Sequence, residues 1–250
     1  MGVEIVSGSR ADDAGLIALK DLTKAAGGID HRVIGGHMVR LLTYVYSHTT
    51  ATPRLTVDAD AGISEPVAAA GELGRGLIAL GYRGEIGNRY VRNLGGDQRA
   101  AIDLLVPASA EPDPQVLGGR AFDAAPGLRF AFACKPIRVE VRARLSTGDI
   151  VECAPLVPDL EPAVVLKLLA TQRRAAAKDR ADLQVMLEIV EAGLEPVTGP
   201  WRLSDPTATS NGERRDAARA AQALRKAPRT ITPVRLKALL VRHVAAPGLL

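Results

Sequence analysis

The chain has 250 residues, 47% hydrophobic and 24% charged, with a formal net charge of +4. That balance excludes a wholly disordered polymer and leaves room for one large domain or two small ones around a sizeable core. No apolar run reaches the roughly 20 residues needed to span a bilayer, and 3% aromatic content disfavours a stacking platform for single-stranded nucleic acid.

The first residues, Met1 to Asp13, lack the charged-then-apolar order of a signal peptide, so a cytoplasmic location with no membrane contact is expected. Cys134 and Cys153 have no metal-binding spacing and no neighbouring His; they are read as buried free thiols on strands, as suits a reducing compartment. Leu16 to Ala26 reads as a helix stopped by Gly27-Gly28. The short β-like stretch His31 to Ile34 runs straight into Gly35-Gly36, after which Met38, Leu41, Leu42 and Val45 recur at helical spacing. Pro53 ends that region, and Leu55 to Ile63 alternates like a strand. Its faces carry Asp58 and Asp60 on one side and Val57, Ala59 and Ala61 on the other.

A helix is expected over Pro66–Leu80, ending at Gly81, and a hairpin over Asn88–Val106 turning at Gly95-Gly96. Pro107 to Gly119 reads as a loop. Ile137 to Leu145 alternates cleanly, with a turn at Ser146 to Asp149 leading into a partner strand through Ile150 and Val151. Beyond Pro162 the texture changes, since neither Gly nor Pro interrupts Ala163–Ala192, which predicts one long helix or two abutting ones. Ser204 to Gly212 is a polar linker, followed by two helical segments separated near Pro228–Pro233. The pattern implies an α/β (α+β) core over residues 1–160, a mixed sheet with flanking helices, and a helical C-terminal module over 161–250. Between Glu213 and His243 nine basic residues stand against two acidic ones, a footprint expected of a polyanion partner, although a solvated helix face has the same composition.

Three features carry chemistry. Aspartates at i and i+2 on a strand project from one face with Cβ atoms roughly 6–7 Å apart, which lets both reach a divalent ion. Asp103 lies in a later apolar strand beside Ile102 and Leu104, where an unpaired carboxylate is costly and a metal shared with Asp58 and Asp60 would offset that cost. An isolated Asp-x-Asp is equally a solvated strand face; Asp103 and the glycines turn the reading towards metal. Gly35-Gly36, between strand and helix, presents backbone N–H groups where phosphate is favoured. His31 and His37 flank that turn, as structural or substrate-contacting residues. Lastly, Lys167, Thr171, Arg174 and Lys178 fall within about 40° of one line on a helix, with Asp182 just beside them. Such a row of cations suits a triphosphate, while a solvated face with a Lys178–Asp182 pair is the plainer account. No Gly-x-Ser-x-Gly elbow, Walker-type loop or dinucleotide fingerprint is present.

Together these residues resemble a known family. Ile34 to His37, Arg54 to Asp60 and Ile102 to Leu105 look like the glycine turn, paired-aspartate strand and third carboxylate of DNA polymerase β-type nucleotidyltransferases. Leu166 to Ala170, Arg173-Arg174 and Lys178 to Leu183 look like the helical signature of one branch, the abortive-infection and AbiEii-like nucleotidyltransferase toxins, including mycobacterial relatives.

The resemblance implies a Mg2+-dependent toxin of a toxin–antitoxin pair, which transfers NMP from NTP to an RNA acceptor, in particular the tRNA 3′ end, and has a cognate antitoxin protein. It implies Gly35 and Gly36 as phosphate-holding and Lys167 as a triphosphate contact; His37, Arg174 and Lys178 are added as nucleotide contacts from the reading of the turn and the helical row, not from the family. Asp58, Asp60 and Asp103 would be metal ligands and, with Lys167 and Asp182, the catalytic set. The family often has Ser or Thr after its glycine, where this chain has His37. The rival expectations are transfer to a small molecule of aminoglycoside type and a non-catalytic binding protein of the same fold.

Overall fold

The computed structural model describes residues 1–47, 55–109, 113–173 and 176–247. It opens with a strand that was not among the expected elements, β1 (Gly2–Val6), followed by α1 (Arg10–Ala26). Ser9 caps α1 by accepting from the Asp12 amide, and Gly27, with φ of 53°, ends it. Next come β2 (His31–Ile34), α2 (Gly35–Val45) and β3 (Asp58–Ile63). The expected strand is shorter at its start: Val57 lies before β3 and is 51% exposed, while Ala59 and Ala61 are buried.

The single helix expected over Pro66–Leu80 is two, α3 (Glu65–Ala70) and α4 (Glu72–Ala79). Gly71, at φ 68°, breaks it, adopting a left-handed conformation that a side chain would resist. The hairpin forms from β5 (Arg89–Gly95) and β6 (Gln98–Pro107), preceded by the two-residue β4 (Arg83–Gly84). The stretch read as a loop ends in β7 (Gln115–Leu117), which pairs with β8 (Arg120–Phe122); β9 (Ala124–Ala125) and an unforeseen α5 (Leu128–Ala133) follow. Then come β10 (Ile137–Arg138), β11 (Glu140–Arg144), β12 (Ile150–Cys153) and β13 (Leu156–Val157). Of the two free cysteines, Cys153 is on β12, but Cys134 caps the end of α5 instead of lying in a strand, and both are half-buried.

The central sheet has the order β2-β3-β6-β5-β4, with β9 pairing the end of β6. β3 runs parallel to β6, and its other neighbour β2 is antiparallel. A second sheet, β1-β11-β12, lies across α1, whose Leu16, Leu19 and Leu22 are fully enclosed between this sheet and the β3–β6 pair. Burying three leucines on one helix face contributes on the order of 5–9 kcal/mol of transfer free energy before entropy is counted.

The helical region consists of α6 (Leu160–Arg173), α7 (Ala177–Glu191), α8 (Gly212–Lys226) and α9 (Val234–His243), with an extended Ala176 before α7. α6 packs on α7 and α8, and α7 packs on α2 and α9. One hydrophobic cluster runs from Val3 to Val244. Much of the C-terminal positive charge is used internally. Arg225 donates to the carbonyls of Leu240 and Val244, Lys237 to that of Ala227, and Arg214, Arg235 and Arg242 pair with Glu161, Glu188 and Glu191. These cations tie α8 and α9 to each other and to α6 and α7, so the segment is far less of a free basic surface than its composition implies. Among the described residues no helix is long and apolar enough to cross a membrane.

Candidate metal centre and nucleotide pocket

The sheet register builds the carboxylate cluster. Asp58 and Asp60 share a face of β3, and the parallel pairing places Asp60 directly opposite Asp103 on β6. One oxygen from each of the three lies within 4.8 Å of the others, and all three residues are half-buried. Thr56 Oγ1 donates to Asp58 Oδ1 at 3.3 Å. Arg89, facing Asp103 from β5, donates through Nη1 to Asp103 Oδ2 at 2.8 Å. Burial pushes the Asp103 carboxyl upward, Arg89 opposes that, and the charges of Asp58 and Asp123 add to the rise. Three carboxylates this close repel one another. An all-oxygen donor set fits a hard divalent ion, which would relieve that repulsion.

The glycine turn abuts the cluster. Gly35, the first residue of α2, has φ of 69°, and a Cβ there would fall 1.9 Å from Asp60 Oδ2. Residue 35 is glycine because the carboxylate occupies the space of a side chain. Ile34 supplies no side-chain cap and the first turn holds no acid of its own, so the start of α2 is a place where an anion is favoured. Ile34, Gly35, Gly36 and Met38 line a cavity of about 430 Å³ together with the three aspartates.

His37 does not line it. One residue along a helix turns a side chain by about 100°, which carries His37 away from the cavity and towards Gly15 of α1, whose Cβ position is 3.3 Å from His37 Nε2. Buried there, with the Arg40 guanidinium nearby, its pKa falls to about 4, so the ring is neutral. The expectation that His37 contacts nucleotide is therefore corrected. His31 is likewise buried, with Nδ1 on the Ile29 carbonyl at 2.9 Å.

The cations reach the cavity from two helices instead of one stripe. Lys167 comes from α6 and Lys178 from α7. The continuous helical line from Lys167 to Lys178 is not formed, because Ala176, which precedes α7, is extended. Arg174 lies outside the described residues, as do His48, Pro53 and Arg54. Thr171 bonds its own helix at the Leu168 carbonyl. Lys167 Nζ donates to Asp179 Oδ1 at 3.2 Å and Asp182 Oδ2 at 2.7 Å, all three being nearly inaccessible. Asp182 thus sits behind Lys167, holding its ammonium at the cavity wall.

The cavity also has residues that the sequence does not single out. Thr56, Asp113, Asp123, Arg173 and the backbone of 124–126 complete it. Arg173 bonds the Ala124 carbonyl and pairs with Asp113, which in turn accepts from the Ala124 amide at 2.9 Å. The Arg173-Arg174 pair is the one sequence signal among them; Asp113 and Asp123 stand in a stretch with no periodicity to mark them.

Among solved structures, the chain is similar to an antigenic nucleotidyltransferase-like protein from Paracoccidioides brasiliensis, with a TM-score of 0.51, 14% identity and 96% of each chain covered. It also overlaps the antibiotic-resistance factor ANT(2'')-Ia at a TM-score of 0.42 and 13% identity, over 73% of this chain and 87% of that one, too loosely to carry an argument. No protein-family model and no curated protein matches the chain. The mixed α/β architecture is thus a nucleotidyltransferase-like fold.

Proposed function

We propose that the protein is a metal-dependent nucleotidyltransferase that uses an NTP as donor. The observation that carries this reading is the meeting, in one cavity, of three carboxylates within 4.8 Å of one another, an uncapped helix start at Gly35-Gly36 and the buried cation Lys167. Asp58, Asp60 and Asp103 would hold Mg2+, which when bound supplies Lewis-acid polarisation of phosphate oxygens. Gly35 and Gly36 offer amides to the phosphates, Lys178 on the neighbouring helix adds positive charge, and Lys167, held by Asp179 and Asp182, presents its ammonium as a hydrogen-bond donor to the triphosphate. An acceptor hydroxyl attacks the α-phosphorus, the bond to the β-phosphate breaks and pyrophosphate leaves. Asp103 would either help hold the metal or take the hydroxyl proton.

For the acceptor, the sequence resemblance supports RNA, in particular the tRNA 3′ end. The same resemblance supports a cytoplasmic toxin held in check by an antitoxin protein. A small-molecule acceptor of aminoglycoside type is the second reading, favoured by Asp123, which adds an acidic group to the cavity wall. The deciding experiment is label transfer from each α-phosphate-labelled NTP, with Mg2+, to total tRNA and to an aminoglycoside panel, comparing wild type with Asp58→Asn. Label on tRNA that disappears in the variant supports the first reading, and label on the drug supports the second. No NTP binding and no transfer to either leaves a non-catalytic protein of this fold.

A further inference from the structure

The segment 123–126 forms one side of the cavity, and what fixes it lies far away in sequence. Ala124 pairs with Val106 at the end of β6, three residues past Asp103. Gly127 opens α5, at φ 90°, and cannot cap the helix itself. The caps come from α8: Glu213 accepts from the Gly127 amide at 2.8 Å through Oε1 and from the Phe130 amide at 2.6 Å through Oε2. A carboxylate on these first-turn amides is both a hydrogen-bonding cap and a favourable charge. The adjacent Arg214 lies over the Phe130 ring at 4.5 Å and pairs with Glu161 of α6 at 2.7 Å, so the contact is locked from two sides. Gly127 in turn sits against α6, where a Cβ would come 3.2 Å from the Cα of Leu166, the residue before Lys167. Next along α5, Leu128 packs on Gly62 of β3, the strand that carries Asp58 and Asp60.

We propose that Glu213 is a positioning residue of the nucleotide pocket: by capping α5 from the C-terminal helices it holds the wall 123–126 at the spacing a nucleotide requires. The inference rests on the nucleotidyltransferase reading and extends it, making α8 part of the substrate site and not only a separate module. Glu213 touches no substrate and no metal ligand, so its loss acts on NTP fit and leaves the metal cluster intact.

The test uses the full chain with Glu213→Gln, which keeps size but removes charge, and Glu213→Asp, which keeps the charge. The readouts are kcat and KM for NTP, Mn2+ affinity by electron paramagnetic resonance, and amide exchange at Gly127 to Phe130. The expected result for the Gln variant is faster exchange and a KM raised about tenfold with kcat within about threefold, Mn2+ affinity unchanged, and partial recovery in the Asp variant. Unchanged exchange would overturn the cap, and faster exchange with unchanged KM would overturn its role in the pocket. Unfolding of both variants would make Glu213 purely structural and overturn the proposal as well. A wild type that neither binds NTP nor transfers label fails at the underlying reading, and the proposal falls with it. An active wild type matched by an equally active Gln variant fails only the present inference.

Discussion

Asp60 Oδ2 occupies the place where a side chain on Gly35 would begin, 1.9 Å from the position of its Cβ. The glycine turn and the strand of paired aspartates are therefore in direct contact, and neither can shift without the other. Gly35→Ala must both abandon a φ of 69° and displace the carboxylate. The expected outcome is a loss of more than about 1 kcal/mol in urea-denaturation stability together with loss of Mn2+ binding. Retention of full Mn2+ affinity would show that the contact is incidental.

Removing one member of the cluster should separate function from stability. Asp58→Asn or Asp60→Asn is expected to lower transfer at least about a hundredfold, as chelation of the metal should in the wild type. Without metal, the same variants should melt at the same temperature or higher, because a repelling charge has gone. Differential scanning calorimetry with and without Mg2+ checks this, and a clear drop in metal-free melting temperature would argue that the cluster is structural.

Lys167 is sandwiched between Asp179 and Asp182 with almost no solvent contact. Lys167→Met leaves two buried carboxylates without their shared cation and is expected to cost about 3–5 kcal/mol in chemical denaturation. Asp182→Asn, which keeps a neutral acceptor beside the ammonium, should cost less and chiefly raise KM for NTP. Equal losses in the two variants would contradict the reading that Asp182 acts through Lys167.

His37 gives a pH dependence whose sign can be worked out. Its folded pKa is about 4, against 6.5 for the free side chain, first through burial and then through Arg40. The unfolded chain therefore binds the proton more readily. Stability is present in full above pH 6.5 and is lost as pH falls towards 4, by on the order of 3 kcal/mol. Urea-unfolding free energies measured across that window should slope downward with acid, and His37→Leu should flatten the slope. A wild-type profile that is level from neutral pH down to 4 would rule this out.

The elements with strong local signals were legible in the sequence. The α1 stop at Gly27, the hairpin turn at Gly95-Gly96 and the alternation of β11 form as their patterns require. The carboxylate set was legible too, because an aspartate inside an apolar strand calls for a partner. His37 was open to a structural or a substrate-contacting role, and adjacency in sequence to Gly36 says nothing of direction; the helical turn puts it on the buried side. Of the two options for this stretch, one long helix or two abutting ones, the helical line through Lys167 and Lys178 assumed the first; the extended Ala176 decides for the second, and nothing in its composition announces that.

By itself, then, the sequence determined the residue types of the centre and their local spacing: paired aspartates on one strand face, a third in an apolar strand and glycines before a helix. These follow from short-range geometry, which repeats every two residues in a strand and every 3.6 in a helix. Only the tertiary structure decided that Asp60 faces Asp103, that Lys167 is held by Asp179 and Asp182, and that Glu213 caps α5 across the chain. Those contacts come from sheet register and helix packing, in which residues far apart in sequence meet because burying their elements together is favourable, and no local pattern encodes the pairing.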